Sequence, residues 1–481
     1  MIPLLQYIDS SFMIFKYINI WVQLIVKYTK YLLMLASILA TQSAVAITLE
    51  EALPFAYKKS DTLKMAQETF LGEIESMSQA ISAFMPRVSA GVSVSNTKVK
   101  SGNTTTNDND TARDTTTQSL SIAQPIFDGG SGVAGLKTAQ AQFRASRGKL
   151  YAAEQDTLID YIDKYLSCYE AQEKYKIASS SVEFRQKELE AAEERFKLGE
   201  ETKTGTAIAR AKLAQAQSQK AASFVQMEQF NALFNKIFGV DPVDLSLPSE
   251  PIGVPSDVET LVSRSLSSNH TIQQVKHSVD AAKSNARAKV GGLLPSVSLK
   301  ASASRTTYNT PGGRLASGSS ANNNRQLTTA LSVEIPILSK GGAEYSEIRQ
   351  ANSKARSAAH QMNDKLRDVK IEATTLWEQY QAAKVSLGYS EEYVSAQTLA
   401  LEGMTHEYEV GTKNIIELLD SEEALNQAKT NAIATKKSYI LTAYKMKASM
   451  GEMTARTLKL DVKYFDPEFE FKKVKAKIIG F

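Results

Sequence analysis

The chain has 481 residues, a formal net charge of +4, one cysteine and four histidines. This nearly neutral balance offers no basic stripe for nucleic acid, and the histidines do not cluster with other ligands, so we expect no metal site and no cofactor. The sequence has no glycine-rich phosphate loop and no Ser/His/Asp spacing, which argues against an enzyme.

The first 46 residues are predicted to be a signal peptide or leader. Two lysines precede an apolar stretch over 31–40, and the Ala-Val-Ala sequence at 44–46 provides the small residues that a signal peptidase requires. An earlier apolar stretch is interrupted by Lys16, and neither stretch reaches the roughly 18 residues of a spanning helix. An uncleaved anchor is therefore the weaker alternative.

The first elements after the leader are predicted to be a helix over 49–84 and a strand pair. Pro86 opens a run in which apolar and small polar residues alternate over 88–95, and a second apolar run covers 120–127. Alternation with period two gives a strand one apolar and one polar face. The segment 101–117 between these runs is rich in Asn, Thr, Ser and Asp and is expected to be an exposed loop.

Two long helices without proline are predicted to follow. The composition over 131–198 is dominated by helix formers, which favours one helix of roughly 100 Å at 1.5 Å per residue. Gly199 ends this helix, because glycine accommodates the left-handed conformation at a helix C terminus. An alanine-rich helix over 206–238 returns alongside it, and helices of this length need such side-by-side packing.

The whole arrangement occurs twice. The second copy has the same elements in the same order: a helix (258–290), a strand (296–303), a polar loop (306–325), a strand (327–338), a long helix (343–410) and a return helix (415–450). Gly411 takes the place of Gly199 between its last two helices. A tandem repeat outranks local signals when a fold is inferred.

The repeats define the predicted organisation of the chain. It comprises a leader (1–46), a first repeat (47–240, with a β-hairpin over 87–128), a linker rich in proline (241–256), a second repeat (257–455, with a β-hairpin over 296–338) and a C-terminal tail (456–481). The tail contains a run of lysines between 472 and 477 that we expect to be solvated.

Four strands cannot close a barrel alone. About eight are the observed minimum, and an open sheet in lipid would leave the polar groups of its edges unsatisfied. Two chains would supply eight strands and three would supply twelve, and only the larger ring leaves an open bore. The exported chain is therefore expected to be soluble outside the inner membrane or to cross the outer membrane as part of an oligomer.

These features, in this order, resemble the TolC family of outer-membrane efflux proteins. Members open with a phrase like Ile-Thr-Leu-Glu-Glu-Ala-Leu at 47–53, have a strand end in each half that runs from a proline to Gly-Gly, and turn a hairpin at a phrase like Tyr408 to Gly411. The resemblance covers residues 47–455. It implies a mainly α fold with β-barrel strands, in which a homotrimer forms a twelve-stranded outer-membrane barrel continuous with a periplasmic α-helical tunnel.

The resemblance also implies a function. It indicates the outer-membrane channel of a tripartite efflux or type I secretion system, a passive duct from the periplasm to the exterior. The implied partners are a periplasmic adaptor (membrane fusion) protein, an inner-membrane pump and outer-membrane lipid, with no nucleic acid. Drug efflux and protein secretion both stay open. The rival hypothesis is a non-conducting periplasm-spanning coiled-coil spacer or adhesin, which explains the helices but not the two strand pairs.

The family's periplasmic gate lies at the hairpin tips, and its positions carry over to this sequence. Where the family typically has Tyr, Arg, Asp and Asp, this chain has Tyr408, Lys413, Glu417 and Asp420. Lysine keeps the charge of arginine but lacks its planar fork. Threefold symmetry would place the two acidic residues in a ring of six carboxylates that favours cations. The alternatives are a solvated helix face for the acidic pair and ordinary helix packing for Tyr408.

The first repeat departs from the family pattern. Thr204 fits it, but Gly205 stands where an aspartate usually receives the tyrosine and arginine contacts. The link between the hairpins is therefore missing or rebuilt, and Glu200 and Glu201 are the candidate replacements. The tips are also implied to contact the adaptor or pump, through Gly199, Glu200, Gly411 and Thr412.

Overall fold

The computed structural model describes residues 47–99, 111–309 and 323–477. Four segments lie outside this part of the chain: the predicted leader (1–46), portions of the two predicted polar loops (100–110 and 310–322) and the last four residues (478–481). Within the described ranges, no helix is both long enough and apolar enough to cross a membrane.

The first repeat is built from five helices and two strands in the described ranges. They are α1 (Leu49–Lys59), α2 (Asp61–Ile74), α3 (Ser76–Ser82), β1 (Arg87–Val99), β2 (Thr111–Asp128), α4 (Ser131–Leu198) and α5 (Lys203–Phe238). The segment expected to be one helix over 49–84 is three. The first break occurs because the Ser60 hydroxyl accepts a hydrogen bond from the Leu63 N–H and caps a new helix.

The second repeat follows the same plan. Its elements are α6 (Val258–Ser268), α7 (His270–Gly291), β3 (Ser296–Asn309), β4 (Asn323–Glu334), α8 (Ala343–Glu409) and α9 (Ile415–Ser449), and α10 (Pro467–Ala476) lies in the tail. The helix predicted over 258–290 is two helices, because the Asn269 side chain caps α7 by accepting from two backbone N–H groups. Asn269 and Ser60 occupy corresponding places in the two repeats.

The long helices α4 and α8 have 68 and 67 residues and end in the same way. Gly199 and Gly411 adopt φ values of 83° and 79°, in the left-handed region that glycine tolerates. After each long helix a backbone N–H reaches back to a carbonyl five residues earlier, from Glu200 to Arg195 and from Thr412 to Glu407, both at 2.9 Å. The glycine signals therefore located both turns correctly.

The four strands form one antiparallel sheet in the order β1-β2-β3-β4. Because β2 begins at Thr111 and β3 continues to Asn309, the ends of the predicted polar loops belong to strands. β4 ends at Glu334, short of the predicted end at residue 338, and Pro336 beyond it has no N–H to donate to a ladder. One face of the sheet carries apolar side chains in register, among them Ala90, Leu120, Ala303 and Leu327.

The largest core cluster lies beside the middle of α4. It joins that helix to α1, α5, α9 and the chain after α9, with Tyr165, Phe234 and Phe238 as its largest fully buried side chains. Cys168 is buried in this cluster, and burial raises the pKa of its thiol to about 12.

The C-terminal tail is packed rather than free. Phe471 of α10 stacks on Phe143 of α4 with 3.8 Å between ring centroids, and Val474 is buried beside them. The lysines of α10 are exposed, as expected. The sequence signal for this packing was the three-residue spacing of Phe471 and Val474, which places both side chains on one face of a helix.

Candidate functional site

The tips of the two helical hairpins pack on each other around an apolar cluster, here called the tip cluster. Its buried members come from all four long helices: Leu189, Ala209, Leu213, Tyr408, Ile415, Leu418 and Leu419. The tip residues predicted to contact partners, Gly199, Glu200, Gly411 and Thr412, are all exposed. The tip cluster thus holds the two hairpins together next to their exposed turns.

Tyr408 is 3% exposed and lies against Arg195, a residue of the last turn of α4. The Arg195 guanidinium carbon is 4.4 Å from the centroid of the Tyr408 ring, and Arg195 Nη1 donates to the Tyr408 carbonyl oxygen at 3.1 Å. Burial raises the pKa of the Tyr408 hydroxyl, which Arg195 opposes, while the nearby carboxylates of Glu188 and Glu201 add to it. The hydroxyl itself has no hydrogen-bond partner among the described residues.

The space beside Gly205 is filled by Glu201. A Cβ placed on Gly205 would lie 2.2 Å from Glu201 Oε1, so an aspartate at this position could not coexist with the present Glu201 rotamer. Glu201 Oε1 accepts hydrogen bonds from the N–H and hydroxyl of Thr202. Of the two predicted replacements for the missing aspartate, Glu201 lies nearest to the site, and Thr204 is exposed beside it.

Lys413 and Glu417 interact within the second hairpin rather than across to the first. Lys413 Nζ lies 3.4 Å from Glu417 Oε1, and both side chains are more than a third exposed. Glu417 also closes a capping box at the start of α9, where its carboxylate accepts from the Asn414 N–H. Glu417 therefore has a structural role at the start of α9, and its place in a ring of carboxylates stays a prediction.

A second polar group, here called the bridge cluster, connects the hairpins about one to two turns further from the tips. Arg185 Nη2 lies 2.8 Å from Glu422 Oε2, and each side chain is only 5% exposed. Lys212 Nζ lies 2.9 Å from both Asp420 Oδ1 and Glu423 Oε2. These contacts raise the pKa of Lys212, with Asp420 contributing most. The first hairpin thereby supplies two cations to three carboxylates of the second.

Sequence reasoning identified only Asp420 among the members of the bridge cluster and did not assign Arg195 a role. Arg185 and Glu422 are 237 residues apart and each lies in a segment rich in charge. Nothing local distinguishes them from solvated residues on a helix face. The repeat predicts two equivalent hairpins, which suggests that they contact each other but not which residues make the contact.

Residues 74–234 and 261–452 match the family model described as "Outer membrane efflux protein". The chain belongs to that family. It is an outer-membrane efflux channel, and the predicted family, fold class and outer-membrane location are confirmed. Members of the family are channels rather than enzymes. The predicted export signal lies outside the described residues.

Individual relatives agree with this assignment. The chain is 27% identical over 451 residues to the outer membrane efflux protein BepC of Brucella suis, covering 93% of this chain and 95% of BepC. It is 25% identical over 352 residues to the outer membrane protein TolC of Escherichia coli, covering 71% of each. The solved Campylobacter jejuni CmeC outer membrane channel shares the fold with a TM-score of 0.72, 15% identity and 89% of both chains covered.

Proposed function

We propose that three copies of this chain form one continuous duct, the outer-membrane component of a tripartite efflux or type I secretion system. In this assembly three four-stranded sheets close a twelve-stranded barrel, and the helical hairpins form a periplasmic tunnel. A periplasmic adaptor and an inner-membrane pump engage the exposed tips. The observation that carries the proposal is a sheet with two long open edges and an exposed apolar face in an outer-membrane efflux protein.

The sheet of a single chain is incomplete. Its edge strands β1 and β4 have 13 and 12 residues, and each has one row of backbone groups that pairs with no other described strand. Val92 is 72% exposed and Leu327 is 79% exposed on the same face. An exposed apolar sheet with long open edges would aggregate in water, whereas pairing β4 of one copy with β1 of the next removes every edge.

The helices of a single chain are incomplete in the same way. α4 packs along α9, but the corresponding contact of the other repeat, between α8 and α5, is not formed to a comparable extent within the chain. α8 instead leaves a stripe of exposed side chains four residues apart, with Val385 56%, Tyr389 69% and Tyr393 49% exposed. A neighbouring copy that offers its α5 to this stripe would repeat the α4–α9 contact and close a ring.

The proposed gate is the tip cluster together with the polar residues beside it at the hairpin tips. Tyr408 and Arg195 join the two hairpins of one chain, and Glu201 supplies the carboxylate that Gly205 lacks. The buried Tyr408 hydroxyl has no acceptor in the described part of one chain, and a buried donor without a partner costs about 1–3 kcal/mol. Assembly with a neighbouring copy is the step at which such an acceptor could be gained.

The first test concerns assembly and conductance. We expect the purified protein in detergent to be a trimer by light scattering and to conduct ions in planar bilayers, because only a closed ring satisfies the sheet edges. Ile122→Arg should reduce trimer yield strongly, because Ile122 lies opposite Ala301 about half-way up the apolar face, where a cation facing lipid costs about 2–4 kcal/mol. Ser121→Arg, on the other face of the same strand, is the matched control and should assemble.

Two results would contradict this proposal. A folded monomer with full helical content would exclude the barrel. A trimer without conductance under any condition would favour the spacer or adhesin.

The second test concerns the gate. Glu201→Ala should raise the channel's open probability about two- to fivefold, because it removes a carboxylate interaction of the size found for partly exposed pairs. Adding Gly205→Asp in the same chain should reverse the effect, since the space beside residue 205 is then free for the aspartate. Gly205→Asp alone should not tighten the gate. Glu200→Ala is the control, and an equal effect of Glu200→Ala would remove Glu201 from the gate.

A further inference from the structure

Two arginines lie side by side on the apolar face of the sheet. Arg305 of β3 and Arg325 of β4 are directly opposite each other in the strand register. We propose that they bind the phosphate group of a lipid headgroup, one site for each copy of the chain. The proposal rests on the barrel described above, because this face meets lipid only if the sheets close with their apolar side outward.

The register fixes the face on which the arginines lie. Ala303 and Leu327 form the neighbouring pair, two residues nearer the helices along each strand, and residues two apart in a strand share a face. Both arginine side chains are exposed. They line a shallow groove of about 780 Å³ together with Val92, Leu120 and Leu327. Each cation thus stands at the border of an apolar surface rather than inside the polar face.

No carboxylate within the described strands neutralises this pair. The four strands contain three acidic residues in the described ranges, namely Asp114, Asp128 and Glu334. Asp128 accepts hydrogen bonds from two N–H groups at the start of α4, and Asp114 binds Asn96. Like charges directly opposite in a sheet are destabilising, and a shared anion removes that repulsion. β1, the strand that a neighbouring copy would place beside Arg325, carries no acidic residue.

The height of the pair matches a headgroup region. Arg305 is nine residues beyond Ser296, where β3 leaves the helices, which corresponds to about 30 Å along the strand. With a tilt of about 40°, this distance is a rise of about 23 Å, close to the roughly 25 Å height of the apolar band of outer-membrane barrels. The next pair on this face, Thr307 and Asn323, is polar. The arginines therefore cap the apolar band at the leaflet distant from the helices.

The chemistry of the pair favours phosphate. Guanidinium groups bind phosphate oxygens through two parallel N–H donors, and two guanidiniums on adjacent strands can share one phosphate. Gln118 lies opposite Arg305 on its other side and adds an amide donor to the same row. The acyl chains of a lipid would lie on the row of Leu120, Ala303 and Leu327, which free phosphate cannot use.

The test measures lipid retention by the trimer. Purified trimer in uncharged detergent is titrated with phosphatidic acid, and diacylglycerol with the same acyl chains serves as the lipid without phosphate. Native mass spectrometry should show up to three phosphatidic acid molecules for each trimer and no comparable retention of diacylglycerol. Arg305→Gln/Arg325→Gln should weaken retention at least about tenfold, as expected when charge-assisted bonds are lost. Arg305→Lys/Arg325→Lys, which keeps the charge without the fork, should be intermediate.

The control is Lys300→Gln, which removes a cation from the opposite face of β3 and should leave retention unchanged. If the wild-type protein is a conducting trimer but the double glutamine variant binds phosphatidic acid as well as the wild type, the lipid site is overturned and the barrel is not. Displacement by inorganic phosphate at equal concentration would show that the occupant is a free anion and would overturn the lipid assignment. A wild-type protein that forms no trimer would remove the barrel, and this site with it.

Discussion

Replacing Arg185 with alanine is expected to destabilise the packing between the two hairpins by about 3–5 kcal/mol, the usual cost of breaking a buried ion pair. The Arg185 and Glu422 side chains are both 5% exposed, and Arg185 also donates to the Lys212 carbonyl oxygen at 3.1 Å. Without the guanidinium, the Glu422 carboxylate stays buried with Asn426 as its remaining hydrogen-bond donor. Thermal unfolding of the purified protein, followed by circular dichroism, measures the loss.

An exposed ion pair near the same tips provides the control for Arg185. Arg210 of α5 lies 2.7 Å from Glu193 of α4, but the two side chains are 71% and 41% exposed. Exposed pairs contribute about 1 kcal/mol or less, so Arg210→Ala should have a small effect. Arg185→Met/Glu422→Met should recover most of the stability, because removing both charges leaves no buried ion without a partner. Equal losses for Arg185→Ala and Arg210→Ala would show that burial does not strengthen this pair.

The long elements of this fold could be predicted because their signals are local. Proline-free segments rich in alanine, glutamate and lysine located α4 and α8, and glycines at 199 and 411 located their ends to within two residues. Alternation of apolar and polar residues identified the core of each strand. Where the prediction was wrong, as at residues 60 and 269, a single capping side chain broke a helix whose periodicity continued across the break.

The polar contacts between hairpins could not be predicted in the same way. Arg185 and Glu422 have the same residue types as dozens of solvated positions on these helices, and only the three-dimensional arrangement buries them. Glu201 is a similar case. The sequence showed that Gly205 lacks a carboxylate, but two neighbouring glutamates were equally placed by sequence, and the position of the Glu201 side chain over Gly205 distinguishes them.

The tail shows a third kind of limit. The lysines between 472 and 477 indicated a solvated segment, and they are exposed. Phe471 precedes these lysines and Val474 lies among them, and both are packed against α4 and α2 on the other side of α10. The prediction that the lysines are solvated was therefore correct, but the packing of the apolar face of α10 was not predicted from the sequence.

Removing the acidic charges of Glu417 and Asp420 is expected to abolish most of the block of this channel by trivalent cations and to weaken its cation selectivity. In the proposed trimer the pair contributes six carboxylates around the axis, and such a ring concentrates multivalent cations. The structure sharpens the choice of variant. Glu417→Gln keeps a side chain that can close the capping box of α9, and Asp420→Asn keeps a polar partner for Lys212.

The bridge cluster supplies the control for this last experiment. Glu423 contacts Lys212 at the same 2.9 Å as Asp420 but lies three residues further from the tip. The positive charge of Lys212, whose pKa Asp420 and Glu423 raise, offsets part of the ring's negative charge. Glu423→Gln should therefore change cation block less than the Glu417→Gln/Asp420→Asn pair. Lys413→Ala should change it little, since the Lys413–Glu417 pair is long and exposed.

The readout is conductance in planar bilayers with trivalent cations added on the side of the hairpin tips, together with the reversal potential in a salt gradient. The double variant should need at least about tenfold more cation for half block, because a multivalent ion loses several carboxylates at once. Trimer yield should not change, since neither substitution removes a buried contact. If the double variant and Glu423→Gln shifted the block equally, the acidic pair would act only through the general charge of the helix surface. The ring would then have to be sought among other carboxylates at the tips.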